Sequence, residues 1–237
     1  FFLFDILTKF SKIASENGDQ PTADRYSQAA IRLQENIEKH AWNGKFYVRG
    51  FADNGEVLNF NDAIVAGWAV MSGGASPERA QGALNEAIKE LYKPKDRMIL
   101  LFNRKLENEE WGGSLQAYPF GSRENWAQYT HGSQWLARAA LKMGHEKGYE
   151  MLMSMSPTAH IADRRYGGEP NAVAADISGA HKMGEAGWTW YSGAAGWLIR
   201  NNLESVLGIK FSGGKTMRFE PNIPKDWPGY EVVFNRG

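Results

Sequence analysis

The sequence contains no cysteine, which excludes disulfide bonds and thiolate metal sites. It also lacks an excess of either charge, because 27 lysines and arginines are matched by 27 aspartates and glutamates. A chain balanced in this way is not expected to bind nucleic acid or a membrane surface by electrostatic attraction. No segment approaches the roughly 18 apolar residues that a transmembrane helix requires. We therefore expect a cytoplasmic protein that neither inserts into a membrane nor binds nucleic acid.

Aromatic residues, by contrast, are plentiful: the chain has 9 tryptophans, 9 tyrosines and 12 phenylalanines among 237 residues. A chain of this length can bury a large core without covalent cross-links. Carbohydrate clefts also use aromatic rings, since the faces of sugars are apolar while their hydroxyl groups need polar partners. The composition is compatible with both uses and does not decide between them.

The spacing of apolar residues predicts helices in pairs, joined by short turns at one end and long polar loops at the other. This alternation is typical of an α/α toroid, in which inner and outer helices surround a central cleft. An α-solenoid has the same local pattern, but the sequence shows no repeat of fixed period. The predicted helices cover 1–16, 21–42, 62–73, 76–92, 125–143, 145–154 and 188–207, and predicted C-terminal strands cover 215–219 and 229–234.

The two ends of the sequence predict a piece of a longer protein. The chain begins with Phe1 inside an apolar helical pattern, FFLFDILTKFSKIA, and no capping residue precedes it. It ends directly after a strand-like segment, YEVVF.

A histidine in the stretch RENWAQYTHGSQW, residues 123–135, is the first candidate for chemistry. His131 has an ordinary interpretation as a core or capping histidine. Its small polar neighbours, Thr130 and Ser133, favour a role toward a ligand instead. We expect Arg123, Glu124 and Asn125 at the entrance of the helix predicted over 125–143, where backbone N–H groups can hold an anion.

The second candidate is GWTWYSGAAGW, residues 187–197. Its small residues predict either a helix face for close packing or a backbone that approaches an oxyanion closely. In the second interpretation the Ser192 hydroxyl and the Gly193 N–H are donors. Together with His131 they would form a phosphate cradle.

Four segments together resemble the inverting glycoside phosphorylases of glycoside hydrolase family 94. They are REN..QYTH...W, EPN.VAADI, GWTWYSGAAGW and HAWNGKFYVRGFADNG, and the resemblance covers essentially the whole chain. Arg123 and the EPN.VAAD sequence are most similar to the β-1,2-glucan branch of the family. The resemblance implies an all-α fold: the C-terminal part of an (α/α)6 barrel over residues 1–207, then the start of a β layer over 208–237.

The resemblance also implies a reaction. Inorganic phosphate attacks the anomeric carbon of a β-linked glucoside, an aspartic acid protonates the leaving oxygen, and α-glucose 1-phosphate forms with inversion. Phosphate replaces the base-activated water of an inverting hydrolase, so a single carboxyl group suffices. No cofactor is implied beyond phosphate as co-substrate. The implied partners are a β-glucan oligosaccharide and, in the full-length protein, a second copy in a homodimer.

By motif match, the resemblance implies that His131, Ser192 and Gly193 bind phosphate. Tyr118 and Arg123 match positions that line the acceptor-sugar subsite. Glu124 is expected to position a sugar hydroxyl or Arg123, and Asp176 is expected to reach the donor sugar.

The sequence departs from the family pattern in two places. It contains no Asp-Trp-Asn-Asp string, the motif that holds the general acid in the family, so we expect the catalytic aspartate upstream of Phe1. Trp126 stands where the family has a glycine, which would narrow the cleft or shift Asn125. From these departures we expect that the chain holds only part of the catalytic site and that it has no phosphorolysis activity by itself.

Two other functions stay open at this level: an inverting hydrolase on the same toroid and a non-catalytic carbohydrate-binding module. A hydrolase needs a base carboxylate in place of the phosphate ligands, and the pairing of His131 with Ser192 argues against it. A binding module would keep an aromatic cleft without a phosphate cradle.

Overall fold

A computed structural model describes residues 1–107 and 109–233, except for the side chain of Glu110. The described part is rich in helix and has only short strands, which confirms the all-α class. The helices are α1 (Phe2–Glu16), α2 (Gln20–His40), α3 (Ala63–Ser72), α4 (Pro77–Leu91), α5 (Thr130–Lys142), α6 (Gly148–Ser154), α7 (Pro157–His160) and α8 (Ser192–Asn201). Short 3₁₀ segments occupy Pro94–Asp96 and Glu110–Ala117, and a π-helical turn, Asn202–Val206, continues α8.

Within the described residues, eight short strands form four antiparallel pairs. The strands are β1 (Gly50–Phe51), β2 (Val57–Leu58), β3 (Tyr92–Lys93), β4 (Met98–Ile99), β5 (Gln128–Tyr129), β6 (Asp176–Ile177), β7 (Ile209–Ser212) and β8 (Thr216–Phe219). Each strand pairs with the next in chain order. The pair β5–β6 joins the segment before α5 to the EPN.VAADI segment.

Helices α1 and α2 form the first pair, and the turn between them has clear local causes. Asp19 caps α2 by accepting a hydrogen bond from the backbone N–H of Thr22 at 3.1 Å. Pro21 lies in the first turn of α2, where a missing N–H costs nothing. An edge-to-face contact between the rings of Phe10 and Tyr26 joins the two helices. A row of apolar residues on α1 stays exposed: Phe2, Leu3, Ile6, Phe10 and Ile13.

The main core lies where α3, α4 and α5 pack together. Helix α3 approaches α5 very closely at Gly67. A methyl group added to Gly67 would lie 2.9 Å from the backbone carbonyl carbon of Trp135. Only glycine allows this approach, so the sequence fixes how near α3 comes to α5.

A buried polar network joins α5 to α8. The side-chain amide of Gln134 donates to the carbonyl of Ala194 at 2.8 Å, near the start of α8. At the end of α8, the amide of Asn201 donates to the backbone and side-chain oxygens of Gln134, both at 3.2 Å. All three residues are buried. Because buried polar groups are costly without partners, this network fixes the position of α8 along α5.

The structure corrects the predicted start of α5. The helix begins at Thr130 rather than at residue 125. Arg123 and Trp126 have φ values of 51° and 65°, which a continuous right-handed helix cannot contain. Gln128 and Tyr129 instead pair with β6. Arg123, Glu124 and Asn125 therefore lie in a loop, and the expected anion-holding helix entrance at these residues was wrong.

The predicted final helix over 188–207 is also too long. Residues 188–191 precede the helix, and Tyr191 has an extended backbone (φ −81°, ψ 120°). The helical hydrogen bonds begin only at Ser192. At the C-terminus, β7 and β8 form a hairpin that includes the predicted strand near 215–219. Residues 229–233 form no strand, and Phe234, the last residue of that predicted strand, lies outside the described residues.

Among the described residues, no helix has both the length and the apolar composition needed to cross a membrane.

The close contact at Gly67 gives a test of the packing. Gly67→Ala should lower the free energy of unfolding by about 1–3 kcal/mol, because the added methyl group forces α3 away from α5. Gly196→Ala is the matched control, since it adds the same atom to an α8 position with nothing within 4 Å. The control should be neutral or more stable by up to about 1 kcal/mol. Urea unfolding followed by circular dichroism measures both, and equal stabilities would contradict the packing argument.

Candidate functional site

The first turns of α5 and α8 meet at one point, and the contact is between His131 and Gly193. A methyl group added to Gly193 would lie 2.8 Å from Nδ1 of the His131 ring. The imidazole therefore lies directly against the glycine backbone. This contact joins residues that are 62 positions apart in the sequence, and it brings together two of the predicted phosphate ligands.

Aromatic rings hold the other side of the histidine. The ring centroid of Trp135 lies 4.8 Å from that of His131, and the centroid of Trp197 lies at 6.2 Å. The ring is half-buried, and burial lowers the pKa of His131 below its ordinary value. Desolvation disfavours the charged imidazolium, so burial favours the neutral ring.

Ser192, the third predicted phosphate ligand, is the first residue of α8 and is exposed. Its hydroxyl makes no hydrogen bond within the described part of the chain. The first backbone N–H groups of a helix have no partner inside the helix, and those of Ser192 and Gly193 lie in this turn. The N-terminus of α8 therefore presents unpaired donors beside the His131 ring.

A second group of residues surrounds Arg123. The guanidinium carbon of Arg123 lies 5.3 Å from the ring centroid of Tyr118 and 5.6 Å from that of Tyr129. It lies 5.4 Å from the ring of Trp188 and 5.8 Å from that of Tyr191. Attraction between a guanidinium and aromatic faces stabilises such an arrangement. Tyr118 and Arg123, both predicted to line a sugar subsite, are thus in contact.

Glu124 faces Arg123 without forming a hydrogen bond. Nε of Arg123 and Oε2 of Glu124 are 3.9 Å apart, and neither buried atom has a hydrogen-bonding partner among the described residues. The two side chains keep 14% and 21% of their surface exposed. Burial alone lowers the pKa of Arg123, but the Tyr191 hydroxyl and the Glu124 carboxylate outweigh it and raise the pKa. The loop therefore offers a permanent cation and a carboxylate side by side.

Asp176 is buried in β6, and its carboxylate holds the backbone of the next motif. Its Oδ1 accepts a hydrogen bond from the N–H of Trp188 at 3.1 Å. A methyl group on Gly187 would lie 2.5 Å from each carboxylate oxygen, so glycine is needed there. In this structure Asp176 orders residues 187–188, and its expected contact with a donor sugar stays a prediction.

Trp126, the residue that departs from the family pattern, has a left-handed backbone and a packed ring. Its φ of 65° lies in the left-handed region that favours glycine, and the family has glycine there. The ring packs on Phe120, with centroids 5.6 Å apart, and against the main core. Asn125 beside it is buried and donates to the carbonyl of Tyr118 at 2.9 Å. Asn125 therefore holds the loop that carries Tyr118 and Arg123.

Sequence reasoning missed four residues of this region. Tyr129, Trp188 and Tyr191 contact Arg123, and the indole N–H of Trp190 donates to Glu169 at 3.0 Å. The Glu169–Trp190 bond joins the EPN segment to GWTWY. The three aromatic residues within positions 188–191 were a signal. A segment without regular structure has no period, however, so the sequence does not tell which ring faces which partner.

The comparisons with known proteins agree with this arrangement of motifs. A family model described as "Glycosyl hydrolase 94 superfamily, catalytic domain" matches residues 1–208. The chain belongs to glycosyl hydrolase family 94. All three segments at the site lie wholly within the matched part: RENWAQYTHGSQW, EPN.VAADI and GWTWYSGAAGW.

Family 94 relatives match nearly all of the chain but are much longer. The chain is 35% identical to "Cyclic beta-(1,2)-glucan synthase NdvB" of Rhizobium meliloti (strain 1021), covering 98% of the chain and 9% of that protein. It is 27% identical to "N,N'-diacetylchitobiose phosphorylase" of Vibrio proteolyticus, covering 98% of the chain and 30% of that protein. The chain therefore spans less than a third of the relatives described here.

The fold is also similar to that of a solved structure named "Sialidase". The TM-score is 0.69 at 13% sequence identity, covering 95% of this chain and 21% of that one. At this identity the likeness concerns the fold alone.

The contact between His131 and Gly193 generates a second prediction. Gly193→Ala should push the imidazole out of its half-buried position and raise the pKa of His131 toward its ordinary value, because less burial means less desolvation. Gly196→Ala, one turn further along α8, should leave the pKa unchanged. Titration of the imidazole protons by NMR, with His131→Asn for assignment, measures the change. An unaltered titration of His131 in Gly193→Ala would contradict the geometry described above.

Proposed function

We propose that this chain supplies the phosphate-binding and acceptor-sugar parts of the catalytic centre of an inverting glycoside phosphorylase. The substrate class is β-linked glucan, of the β-1,2 type, and the product is α-glucose 1-phosphate. The reaction runs in either direction. The observation that carries this proposal is the contact of the His131 ring with Gly193 at the first turn of α8.

The groups at the contact between His131 and Gly193 can bind an oxyanion. A helix N-terminus has unpaired N–H groups and the positive end of the helix dipole, both of which favour an anion. The Ser192 hydroxyl adds a donor at the exposed side, and a ring N–H of His131 adds another from α5. A neutral imidazole supports phosphate by hydrogen bonding without neutralising its charge, so the bound phosphate keeps its nucleophilicity. The donors would fix the phosphate in line with the anomeric carbon.

Arg123 and Glu124 can form hydrogen bonds with the hydroxyl groups of a sugar. A sugar hydroxyl both donates and accepts a hydrogen bond, and here a guanidinium donor lies beside a carboxylate acceptor. The unpaired Nε and Oε2 atoms carry an energetic cost of about 1–3 kcal/mol each while they lack partners. The ring of Tyr118 adds an apolar face of the kind that packs on sugars. We assign these residues to the acceptor side, and we keep Asp176 as a residue of the donor side.

The general acid in this proposal lies outside the 237 residues. Phosphate is the only co-substrate, and no further cofactor is required. Protonation of the leaving oxygen needs one carboxylic acid on the opposite face of the scissile bond. The sequence has no Asp-Trp-Asn-Asp string, and we assign this role to none of its carboxylates.

The proposed architecture is an arc of an (α/α)6 barrel over residues 1–207, followed by the start of a β layer over 208–237. The exposed apolar row of α1 supports it, since Phe2, Ile6 and Phe10 need a covering surface. Further barrel helices would provide one. A homodimer of the longer protein stays a prediction.

The β-1,2 assignment draws on the relatives. Identity is 35% to the β-(1,2)-glucan synthase of Rhizobium meliloti and 27% to the chitobiose phosphorylase of Vibrio proteolyticus. It is 23% to the "Cellobionic acid phosphorylase" of Neurospora crassa. The gradient favours a β-1,2-glucan substrate over the substrates that the other two names state.

Phosphate binding tests the proposal directly. Isothermal titration of inorganic phosphate into the chain should show one site, and His131→Ala should weaken binding at least tenfold because a direct hydrogen bond to the anion is lost. His181→Ala is the matched control, since His181 is exposed on a turn and is not among the proposed phosphate ligands. The control should bind like the wild type. Absence of phosphate binding, or equal binding by His131→Ala, would overturn the phosphorylase assignment in favour of a sugar-binding module.

Activity gives a further prediction. Incubated with phosphate and β-1,2-glucan, the chain by itself should form no detectable α-glucose 1-phosphate, because a general acid typically contributes ~10²–10⁴-fold. Release of free glucose should be equally undetectable. Product measured by coupled phosphoglucomutase assay would refute the placement of the acid outside these residues, and hydrolysis without phosphate would indicate a hydrolase.

A further inference from the structure

The side chain of Arg123 is enclosed by rings that come from three separate segments. We call Arg123, Tyr118, Tyr129, Trp188 and Tyr191 together the Arg123 box. All four ring centroids lie between 5.3 and 5.8 Å from the guanidinium carbon. The enclosure leaves only 14% of the arginine side chain exposed. Tyr118 precedes the loop of Arg123, Tyr129 belongs to β5, and the other two rings belong to the segment before α8.

The surrounding rings and the Tyr191 hydroxyl together hold the guanidinium in place. Nε of Arg123 has no hydrogen-bonding partner among the described residues, and the Glu124 carboxylate is 3.9 Å away. The backbone at Arg123 is in the left-handed region, with φ of 51°, which an arginine rarely adopts. Surrounding structure must therefore maintain this conformation. The position of the guanidinium depends on where the rings are.

Two of these rings are directly tied to the start of α8. Tyr191 is the residue immediately before Ser192 and forms the N-cap of the helix. Trp188 is held by the Asp176 carboxylate at 3.1 Å, and Asp176 pairs with Tyr129 between β5 and β6. Residues 188–191 thus carry one wall of the box and also set the first turn of α8. A shift of this wall would move the donors of Ser192 and Gly193.

The wall is only partly packed. Trp188 is 56% exposed and Tyr191 is 42% exposed. A sugar bound at the exposed edge of Arg123 would contact these rings and restrict their motion. A second ligand that binds to an already ordered segment loses less conformational entropy, which produces positive cooperativity without a large structural change.

We propose that Trp188 and Tyr191 are positioning residues that couple the sugar subsite at Arg123 to the phosphate subsite at the start of α8. Occupation of either subsite strengthens binding at the other, and by linkage the factor is the same in both directions. This inference rests on the proposed function for the identity of the two ligands. It adds a physical connection between them and two residues that act through Arg123 and α8.

Isothermal titration of inorganic phosphate, with and without saturating sophorose, the β-1,2-linked glucose disaccharide, tests the coupling. For the wild-type chain the phosphate Kd should fall at least ~5-fold when the sugar is present, the lower end of common coupling factors. Tyr191→Leu removes a ring of the box and should reduce this factor to about 1. Its phosphate Kd is measured with and without sugar in the same variant, so the coupling factor is a ratio that does not depend on how the substitution changes phosphate binding itself.

Three further variants control this experiment. Tyr191→Phe keeps the ring but removes the hydroxyl that interacts with Arg123, and it should retain more of the coupling than Tyr191→Leu. Trp190→Leu removes the neighbouring ring, which is 72% exposed and bonds to Glu169 rather than contacting Arg123, and should retain the wild-type factor. Trp188→Leu removes the other exposed ring and should weaken the coupling, so the result does not depend on the folding of one variant.

The outcomes separate this inference from the proposed function. A wild-type chain that binds phosphate with the same Kd whether or not sophorose is present overturns the coupling and leaves the phosphate site intact. A coupling factor that persists in both Tyr191→Leu and Trp188→Leu also overturns it. A chain that binds no phosphate overturns the proposed function, and the coupling fails with it.

Discussion

The fixed position of α5 between α3 and α8 is the constraint on which the rest of the structure depends. Gly67 lets α3 approach the backbone of α5, and the Gln134–Asn201 network holds α8 on the other side. With both neighbours fixed, the first turns of α5 and α8 can meet only in one way. The contact between His131 and Gly193 is the consequence. Under the proposed function, the anion site follows from how closely these three helices pack.

Close packing and hydrogen bonds have different effects on the two neighbours of α5. At Gly67 the contact with α3 depends on shape, so it sets a distance; at the other end Lys142 donates to the carbonyls of Val70 and Met71 at 3.0 and 3.1 Å. The contact with α8 uses directional hydrogen bonds, so it sets a register along the helix axis. Arg138 extends the second contact, since it donates to Asn201 at 3.1 Å and forms an ion pair with Glu204 at 2.5 Å. A functional contact between two helix ends requires both a distance and a register.

The tryptophans serve two purposes, and their burial separates them. Trp68 and Trp135 form ring contacts where α3 meets α5 and strengthen the packing. Trp188 and Trp190 are 56% and 72% exposed, which is expensive for large apolar rings in water. Exposed aromatic residues clustered beside charged groups are typical of a surface that meets a ligand. The same residue type therefore builds the core in one place and lines the proposed sugar subsite in another.

The sequence by itself determined the all-α class, the approximate bounds of α1 to α4 and the family, because apolar periodicity and motif wording are local properties of the chain. It also predicted that Tyr118 and Arg123 share a sugar subsite and that His131 and Gly193 bind the same phosphate. Only the tertiary structure decided where α5 and α8 begin, since pairing of β5 with β6 and left-handed residues at Arg123 and Trp126 override helix propensity. It alone revealed that Trp188 and Tyr191 enclose Arg123. Contacts between segments some sixty residues apart depend on how helices pack, and no local pattern encodes that packing.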